Sequence, residues 1–323
     1  MLFILVAVYR MYVGCMVYDK SDKNDIIMKF INRFVSSRWD IAFLQESLEE
    51  IVANRKIHFI SVKNPFKKQY CCFADPFVLD VTDDSIYLLV EAMTSNNHKG
   101  VIAKLTIEKK TMTIADVHVI LEEPWHLSFP NIIRKDGRIF VYPESANGKH
   151  LYLYELKNNN HGKEYLERVD ILCDDVIWDT DINNLFNQNL LFTAHQDNYN
   201  LDIYQWDNSA KRYKYSTSLH SSRQNMRLAG ALFPLNGKVY IPTQVSGYTY
   251  GQAVEIKEIK YDGSWKVQIL RKINPPKGLF IDGMHTFNSY KGVTVVDIHR
   301  QADLLSWVVS KLVIFKKMIS KHK

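Results

Sequence analysis

The sequence predicts an all-β chain, a five-bladed β-propeller followed by a C-terminal amphipathic helix. The main observation is a module that recurs roughly every 50 residues. Each copy has a small or apolar turn, a strand, a short polar turn and a second strand that ends in a polar residue. The five anchors are Pro76, Pro130, Thr180, Ala229 and His285, separated by 54, 50, 49 and 56 residues. Steps of this length are typical of four-stranded propeller blades.

The polar residue that ends each module is the second observation. It lies 14 or 15 residues after the anchor in every copy. These residues are Glu91, Glu144, His195, Gln244 and His299. If each blade begins at the central axis, the constant offset predicts that the five side chains surround one axial funnel, and such a polar ring suits a sugar. The alternative is that they only hydrogen-bond neighbouring blades.

The predicted propeller occupies residues 39–300, between an N-terminal extension, 1–38, and a basic helix, 301–323. The extension begins with an apolar stretch, 1–18, that Arg10 interrupts. This stretch is shorter than the roughly 20 residues that a membrane-spanning helix needs. Within the extension, Asp25 to Phe34 has apolar residues at helical spacing.

Strand and turn signals fill the propeller region. Trp39 to Phe43 and Ile57 to Val62 are predicted strands that precede the first module. One of them is expected to complete the last blade and close the ring, because closure removes exposed sheet edges. Further along, Asp136-Gly137, Asn236-Gly237 and Asp262-Gly263 are dipeptides typical of tight hairpin turns.

The last segment changes from strand to helical periodicity. Its apolar face consists of Leu305, Val308, Val309, Leu312, Phe315 and Ile319, with lysines on the other face. Two interpretations stay open: the helix covers the side of the propeller, or it docks on an anionic membrane surface. We expect a cytoplasmic protein, peripheral on the inner face of the membrane in the second case.

Composition excludes several functional classes. The chain has 323 residues, 46% hydrophobic residues and a net charge of +6, and its excess lysines cluster at the C-terminus, so nucleic acid is not an expected partner. Its four cysteines lack metal-ligand spacing and are expected to be reduced thiols. The sequence shows no glycine-rich phosphate loop, serine nucleophile elbow or zinc signature. No cofactor or metal is predicted.

Motifs from several blades resemble those of a known family. They include Phe73-Ala-Asp-Pro-Phe77, Glu123-Pro-Trp-His-Leu-Ser-Phe-Pro130, Tyr142-Pro-Glu144, Arg227-Leu-Ala-Gly230 and Met284-His-Thr-Phe-Asn288. Over about residues 39–300, the chain resembles the N-terminal propeller of plant glucosamine inositolphosphorylceramide transferases and bacterial proteins named after it. In the plant enzymes the glycosyltransferase domain lies beyond this propeller. No such domain is expected in this chain, so the resemblance does not transfer the reaction.

The predicted propeller also resembles that of glycoside hydrolase family 43, whose first three blades supply an aspartate base, a second aspartate and a glutamate acid. This resemblance implies that Asp75 is the base. The second and third blades depart from the pattern, with Phe129 and Asp179 in the corresponding places. An inverting hydrolase needs one carboxylate and one protonated carboxyl. Glu144 is the preferred acid, because burial beside an apolar strand would raise its pKa.

The predicted catalytic residues are therefore Asp75, Glu144 and Asp179. The predicted substrate-binding residues are Glu91, Trp125, His126, Asp181, His195, Arg227, Gln244, Tyr250, His285 and His299. Pro76 should hold Asp75 in an extended conformation. Asp179 and Asp181 should share one strand face, a weak indication of a cation. Arg227 either binds a substrate anion or forms a salt bridge to a ring carboxylate.

Two functional hypotheses follow. The first is a carbohydrate-active enzyme that cleaves or transfers a glycosyl unit on a glycan or glycolipid, in bacterial surface polysaccharide or glycoconjugate biosynthesis. The second is a non-catalytic sugar-binding propeller that serves a separate glycosyltransferase. The expected partners are a glycan, nucleotide sugar or glycolipid, with an anionic membrane and a partner glycosyltransferase as further candidates.

Overall fold

A computed structural model describes residues 37–94, 97–194, 200–220, 226–247, 250–304, 306–308, 310, 311 and 314. Two strands come first, β1 (Ser37–Leu44) and β2 (Phe59–Ser61), with helix α1 (Leu48–Val52) between them. Blade 1 contains β3 (Tyr70–Val81), β4 (Ser85–Thr94), β5 (Asn97–Glu108) and β6 (Thr113–Leu121). Blade 2 contains β7 (Ser128–Lys135), β8 (Arg138–Glu144), β9 (Leu151–Asn158) and β10 (Glu164–Cys173), with a 3-10 turn at Ala146–Gly148.

Blades 3 and 4 repeat this order. Blade 3 contains β11 (Trp178–Asn183), β12 (Leu190–Ala194), β13 (Leu201–Asp207) and β14 (Arg212–Leu219). Blade 4 contains β15 (Phe233–Leu235), β16 (Lys238–Val245), β17 (Ala253–Tyr261) and β18 (Trp265–Ile273). In blade 5, β19 (Ile281–Gly283) and β20 (Phe287–Tyr290) both pair with β21 (Val293–Gln301). The predicted five-bladed propeller is confirmed.

The two ends of the propeller region meet in blade 5. β1 runs antiparallel to β21 from the pair Ser37–Gln301 to the pair Leu44–Thr294, and β2 lies outside β1. The first strands of the described residues thus complete the last blade, as predicted, and this pairing closes the ring. Closure also fixes where Trp39 lies, since Trp39 pairs with His299.

Hairpin turns follow the predicted dipeptides. Asp136 and Gly137 have φ values of 51° and 73°, and Asn236 and Gly237 have 49° and 72°. Positive φ at both central residues is the geometry that a type I′ turn requires, and it matches the twist of the flanking strands.

The hydrophobic core lies between blades. In β4, Leu88, Leu89 and Val90 are each 0% exposed although neighbouring side chains point to opposite faces. Leu88 and Val90 pack with Phe43 and Val295 of blade 5, whereas Leu89 packs towards blade 2. Because this sheet is covered on both sides, this part of β4 is apolar on both faces.

A helical segment follows blade 5. Residues 304, 306–308, 310, 311 and 314 are helical. Ser306 N donates to Asp303 Oδ1 at 2.8 Å, and Ser310 Oγ donates to Asp282 Oδ2 at 2.9 Å, which ties the segment to β19. Among the described residues, every helix is too short or too polar to cross a membrane. Docking on an anionic membrane stays a prediction, and the helix predicted at Asp25 to Phe34 lies outside the described residues.

Candidate active site

The first strands of three blades share a bulge with unusual backbone geometry. Asp75, Phe129 and Asp179 have φ values of 49°, 45° and 44°. In each case the sheet register shifts at this residue. The prediction that Pro76 keeps Asp75 extended is wrong, because the bulge turns the residue into the left-handed region. Such conformations cost about 1–3 kcal/mol each and cluster at functional sites.

The bulges direct three backbone amides at three carboxyl groups. Phe129 N donates to Asp75 Oδ2 at 3.1 Å. Asp179 N donates to Glu144 Oε2 at 3.1 Å, and Asp75 N donates to Asp297 Oδ2 at 3.3 Å. In all three pairs the carboxyl group belongs to the preceding blade of the ring. The strained backbone therefore has a specific effect, which is to fix an acidic side chain of the neighbouring blade.

The first cluster of ionisable side chains, the Asp75 cluster, consists of Asp75, His285 and Asp297. His285 Nε2 lies 3.2 Å from Asp75 Oδ1, and His285 Nδ1 lies 2.7 Å from Asp297 Oδ2. All three side chains are buried. Their donor atoms lie within 4.8 Å of one another, but the two ring nitrogens face different carboxylates. The geometry is thus that of a chain of ion pairs rather than a ligand cage around one ion.

Burial and charge set the protonation of this cluster. Burial raises the pKa of Asp75 to about 6, and the charge of His285 opposes the rise. Burial acts to lower the pKa of His285, but the carboxylates of Asp297 and Asp75 raise it to about 10. His285 is therefore an imidazolium at neutral pH, and Asp75 is an ionised carboxylate.

The second group is the Glu144 cluster, formed by Glu144, Asp179, Arg227 and Gln244. Arg227 Nε forms an ion pair with Asp179 Oδ2, while Arg227 Nη2 lies 3.9 Å from Glu144 Oε2. Gln244 Nε2 donates to Asp179 Oδ2 at 2.8 Å. Of the two roles considered for Arg227, the structure shows the salt bridge to ring carboxylates.

Glu144 is distinguished by its raised pKa. Burial, followed by the neighbouring Asp179 carboxylate, raises the pKa of Glu144 well above its ordinary value, and Arg227 offsets this only in part. The same two carboxyl groups raise the pKa of Arg227, although burial acts to lower it. The raised pKa favours the protonated form of Glu144 beside the Arg227–Asp179 pair, and a protonated carboxyl is what a general acid must be.

A third, more exposed pair lies beside Asp75. His126 Nε2 lies 3.2 Å from Glu91 Oε1, and Gly100 N donates to His126 Nδ1 at 2.9 Å. The hydrogen bond to Glu91 raises the pKa of His126. The amide of Gly100 acts in the opposite direction, because only the neutral ring can accept its hydrogen bond. Glu91 also raises the pKa of Asp75 through charge repulsion, which places the pair near the base.

Tyr250 connects the Asp75 and Glu144 clusters. Its ring meets that of His285 at 5.1 Å and the Arg227 guanidinium at 5.6 Å. The phenol interacts electrostatically with Asp75, Asp179 and Glu144 as well as Arg227. Because half of the Tyr250 surface is exposed, a bound molecule would contact this ring and both clusters together.

Trp39 is a site residue that the sequence did not reveal. Its ring lies 4.0 Å from the His285 ring and 4.8 Å from the His299 ring. It belongs to β1, which reaches the site only because that strand closes blade 5. Trp178 is a second such aromatic, with the Arg227 guanidinium 4.9 Å from its ring. Aromatic rings beside a polar funnel are suited to the apolar face of a sugar.

Asp181, which was predicted to bind substrate, has partners other than those of the Asp75 and Glu144 clusters. Its carboxylate accepts hydrogen bonds from Asn131 Nδ2 at 3.0 Å, Asn183 Nδ2 at 2.7 Å and Leu232 N at 3.2 Å. These donors join blades 2, 3 and 4. The bulge at Asp179 interrupts strand alternation, so Asp179 and Asp181 bind different donors and do not form one cation site.

The remaining predicted site residues have partners outside the Asp75 and Glu144 clusters or lie outside the described residues. His299 Nδ1 pairs with Asp282 Oδ1 at 2.6 Å. Trp125 stacks on Tyr152 at 5.8 Å, within the packing of blade 2. His195 lies outside the described residues. The sequence analysis did not select Asp297. It lies in the same strand as the predicted residue His299, two positions before it.

Taken by fold and site, the protein is a five-bladed propeller with two clusters of acidic and basic side chains beside the first strands of its blades. The family model described as "Glucosamine inositolphosphorylceramide transferase 1, N-terminal" matches residues 45–293. The chain belongs to this family, and the resemblance predicted from its motifs is confirmed.

Curated relatives named "Glucosamine inositolphosphorylceramide transferase 1" occur in plants. The protein of Oryza sativa subsp. japonica is 28% identical over 202 residues, which are 58% of this chain and 26% of the relative. That of Arabidopsis thaliana is 29% identical over 198 residues, which are 58% of this chain and 25% of the relative. The chain thus spans about a quarter of the length of these relatives.

Solved structures with a similar outline include a GH43 β-xylosidase/α-arabinofuranosidase from a compost microbial metagenome. Its TM-score is 0.47 at 10% identity, with 72% of this chain and 91% of that chain covered. The similarity is one of overall fold, and the roles of individual residues rest on the geometry described above.

Proposed function

We propose that this protein is a carbohydrate-active enzyme that cleaves or transfers a glycosyl unit on a glycan or glycolipid. The observation that carries the proposal is the placement of two carboxyl groups in different electrostatic environments. Buried Asp75 faces His285 and has a pKa of about 6, whereas burial and the neighbouring Asp179 raise the pKa of the largely buried Glu144 well above its ordinary value. A pair of carboxyl groups with separated titrations is the requirement for acid and base catalysis at a glycosidic bond.

Glu144 is the proposed acid. Its proton passes to the oxygen of the leaving group as the glycosidic bond breaks, and the Asp179 carboxylate makes it favourable for Glu144 to hold that proton beforehand. Arg227 stays paired with Asp179, and burial together with the repulsion between the two neighbouring carboxyl groups disfavours ionisation of both. With Glu144 as the acid, no glutamate is needed in the third blade, where family 43 hydrolases have their acid.

Asp75 is the proposed base. It takes the proton of the attacking water or acceptor hydroxyl, while its carboxylate and that of Asp179 favour the positive charge that develops on the sugar ring. Phe129 replaces a second aspartate and is only 1% exposed. Its contribution to the site is its amide, which holds Asp75 Oδ2.

The test is turnover of candidate substrates by the wild type, Asp75→Asn and Glu144→Gln. Nucleotide sugars and lipid-linked or free oligosaccharides are screened by mass spectrometry, with calorimetry for binding. We expect each variant to lose about 10²–10⁴-fold in rate. Asp80→Asn is the matched control, because Asp80 is an exposed carboxylate of the same blade that pairs with Lys291. Full turnover by both folded variants would contradict the proposal.

A sugar-binding propeller that serves a separate glycosyltransferase is the second candidate. The observation that favours it is the replacement of an acid by Phe129, together with the engagement of Asp179 by Arg227 and Gln244. It predicts saturable glycan binding without turnover. Binding that weakens in Trp39→Ala, while no product forms with any donor, would favour this candidate over the enzyme.

A further inference from the structure

Asp297 is the most deeply enclosed acid of the site. It is 0% exposed and lies in β21, one strand away from the funnel. Its Oδ1 accepts hydrogen bonds from His285 N at 2.9 Å and Thr286 N at 3.0 Å. Its Oδ2 accepts one from Asp75 N at 3.3 Å and faces His285 Nδ1 at 2.7 Å. Every one of these contacts is to the protein, so a direct role on the substrate is excluded by its position.

We propose that Asp297 is a positioning residue that holds His285 in one orientation against Asp75 and so fixes the carboxylate assigned as the base. The inference rests on the proposed function. It adds a residue to the site for which neither the motifs nor the family description provides a role.

The orientation of His285 follows from Asp297. Because Asp297 occupies Nδ1 and also binds the backbone amide of His285, the ring is held at both ends of the residue. Nε2 is then the nitrogen left to face Asp75 Oδ1. With a carboxylate 2.7 Å from Nδ1 and another 3.2 Å from Nε2, the imidazolium form of His285 is favoured, and Nε2 faces Asp75.

Packing leaves the ring little freedom to turn. Trp39 lies 4.0 Å from the His285 ring on one side, and Tyr250 meets it edge-on at 5.1 Å. Gly251 has a φ of 61°, and a Cβ there would lie 2.8 Å from His285 Cβ and 2.9 Å from the Trp39 ring. Glycine is therefore required where this turn closes over His285.

The consequence is a fully oriented Asp75 carboxylate. Its Oδ1 is bound by His285 Nε2, and its Oδ2 is bound by the amide of Phe129. A base whose two oxygens are fixed presents its remaining lone pairs in one direction, which lowers the reorganisation needed to take a proton.

The charges around this chain of contacts come from four blades. Asp75 and Glu91 approach from blade 1, Asp179 from blade 3, and Tyr250 from blade 4. Within blade 5, His285 lowers the pKa of Asp297, although burial acts to raise it. Asp297 therefore stays ionised and keeps its hold on the imidazolium.

The test compares the wild type with Asp297→Asn and the conservative Asp297→Glu. For Asp297→Asn we expect a fall in kcat of about 10²-fold with little change in KM, a shift of the pH–rate profile, and partial recovery in Asp297→Glu. A parallel rise in KM, with kcat and the pH profile unchanged, would overturn the proposal.

A second readout does not depend on activity. ¹⁵N NMR of the full-length protein labelled at histidine reports the two His285 ring nitrogens. We expect both to be protonated in the wild type at neutral pH, and the ring to titrate nearer its ordinary pKa in Asp297→Asn. An unprotonated Nδ1 in the wild type, which needs no variant to fold, overturns the proposal.

The two readouts separate failure of this inference from failure of the proposed function. If no substrate is turned over but the NMR result holds, the positioning of His285 stands and the enzymatic assignment falls. Elemental analysis provides the remaining check: a stoichiometric divalent metal in the wild type that is lost in Asp297→Asn would mean that these residues bind a metal, which overturns the proposal.

Discussion

The Asp75 cluster and the Glu144 cluster contain the same kinds of parts in a different arrangement. Each combines two buried or largely buried carboxyl groups with one cation, and each uses the amide of a left-handed bulge residue to hold an acid. In the first, His285 lies between its acids, 2.7 Å from Asp297 and 3.2 Å from Asp75. In the second, Arg227 is in contact with Asp179 but 3.9 Å from Glu144.

The difference teaches how one fold obtains a base and an acid from similar residues. A cation shared between two carboxylates keeps both ionised, whereas a cation committed to one leaves the other to retain its proton. The position of the cation, more than the identity of the acids, decides the chemistry available at each end of the funnel.

The largest expected effect comes from removing the shared cation. His285→Gln leaves Asp75 and Asp297 buried without a positive charge, and we expect the free energy of unfolding at pH 7 to fall by about 3–5 kcal/mol. Urea unfolding measures the change. His161→Gln, at an exposed histidine, is the control and should be neutral. A loss as small as that of the control would break the comparison.

The free energy of unfolding of His285→Gln should also depend on pH differently from that of the wild type. The pKa of His285 rises from 6.5 to about 10 on folding, so the folded chain binds more protons between these values. Its stabilising contribution is complete below about pH 6.5 and is lost as the pH rises through about 10. Urea unfolding across this window should show a decline in the wild type that is much shallower in His285→Gln. An equal decline in both proteins would contradict the assignment of the charge to His285.

Removing the committed cation should have a somewhat smaller effect. Arg227→Met leaves Asp179 without its ion-pair partner, whereas the raised pKa of Glu144 makes that group less dependent on the cation. We expect the free energy of unfolding to fall by about 3 kcal/mol, the low end of the range for breaking a buried pair. Arg227→Lys, which keeps the charge, should lose less. A larger loss for Arg227→Met than for His285→Gln would show that Glu144 is ionised and reverse the comparison.

The smallest effect is expected for the third pair, Glu91 and His126. This pair tests how far burial determines the strength of such a contact. Glu91→Gln removes the partner of His126, whose side chain is 39% exposed. Because solvent screens this pair, we expect the free energy of unfolding to change by less than about 1 kcal/mol. The pKa of His126 should fall towards its ordinary value, since the hydrogen bond to Glu91 is the main cause of its rise. Histidine NMR titration measures this shift, with Glu122→Gln as an exposed control.

Sequence spacing was sufficient to predict the propeller. The module repeats at the length of a blade, and the dipeptides at Asp136 and Asn236 form the tight turns expected of them. Two of the five predicted strand ends, Glu144 and Gln244, meet in one cluster, and the ring of five around one axis stays a prediction. These features depend on local geometry, in which residue type and period are enough to define strands and turns.

The local backbone at the site was not predictable in the same way. Pro76 favours an extended Asp75, and Phe129 is an unusual residue at positive φ, yet both lie in bulges. Interactions between blades override these local preferences, because each bulge amide binds a carboxyl group more than 30 residues away, as in the pair of Asp179 with Glu144.

The sequence by itself determined the number of blades, their order and the acids available to the site, since these follow from period and composition. Only the tertiary structure decided which acid keeps a proton. His285 meets Asp297 and Asp75, Arg227 meets Asp179, and Trp39 reaches the site when β1 closes the ring. Those contacts join residues far apart in the chain, and charge interactions in a buried site depend on distances of a few ångströms that no spacing along the sequence encodes.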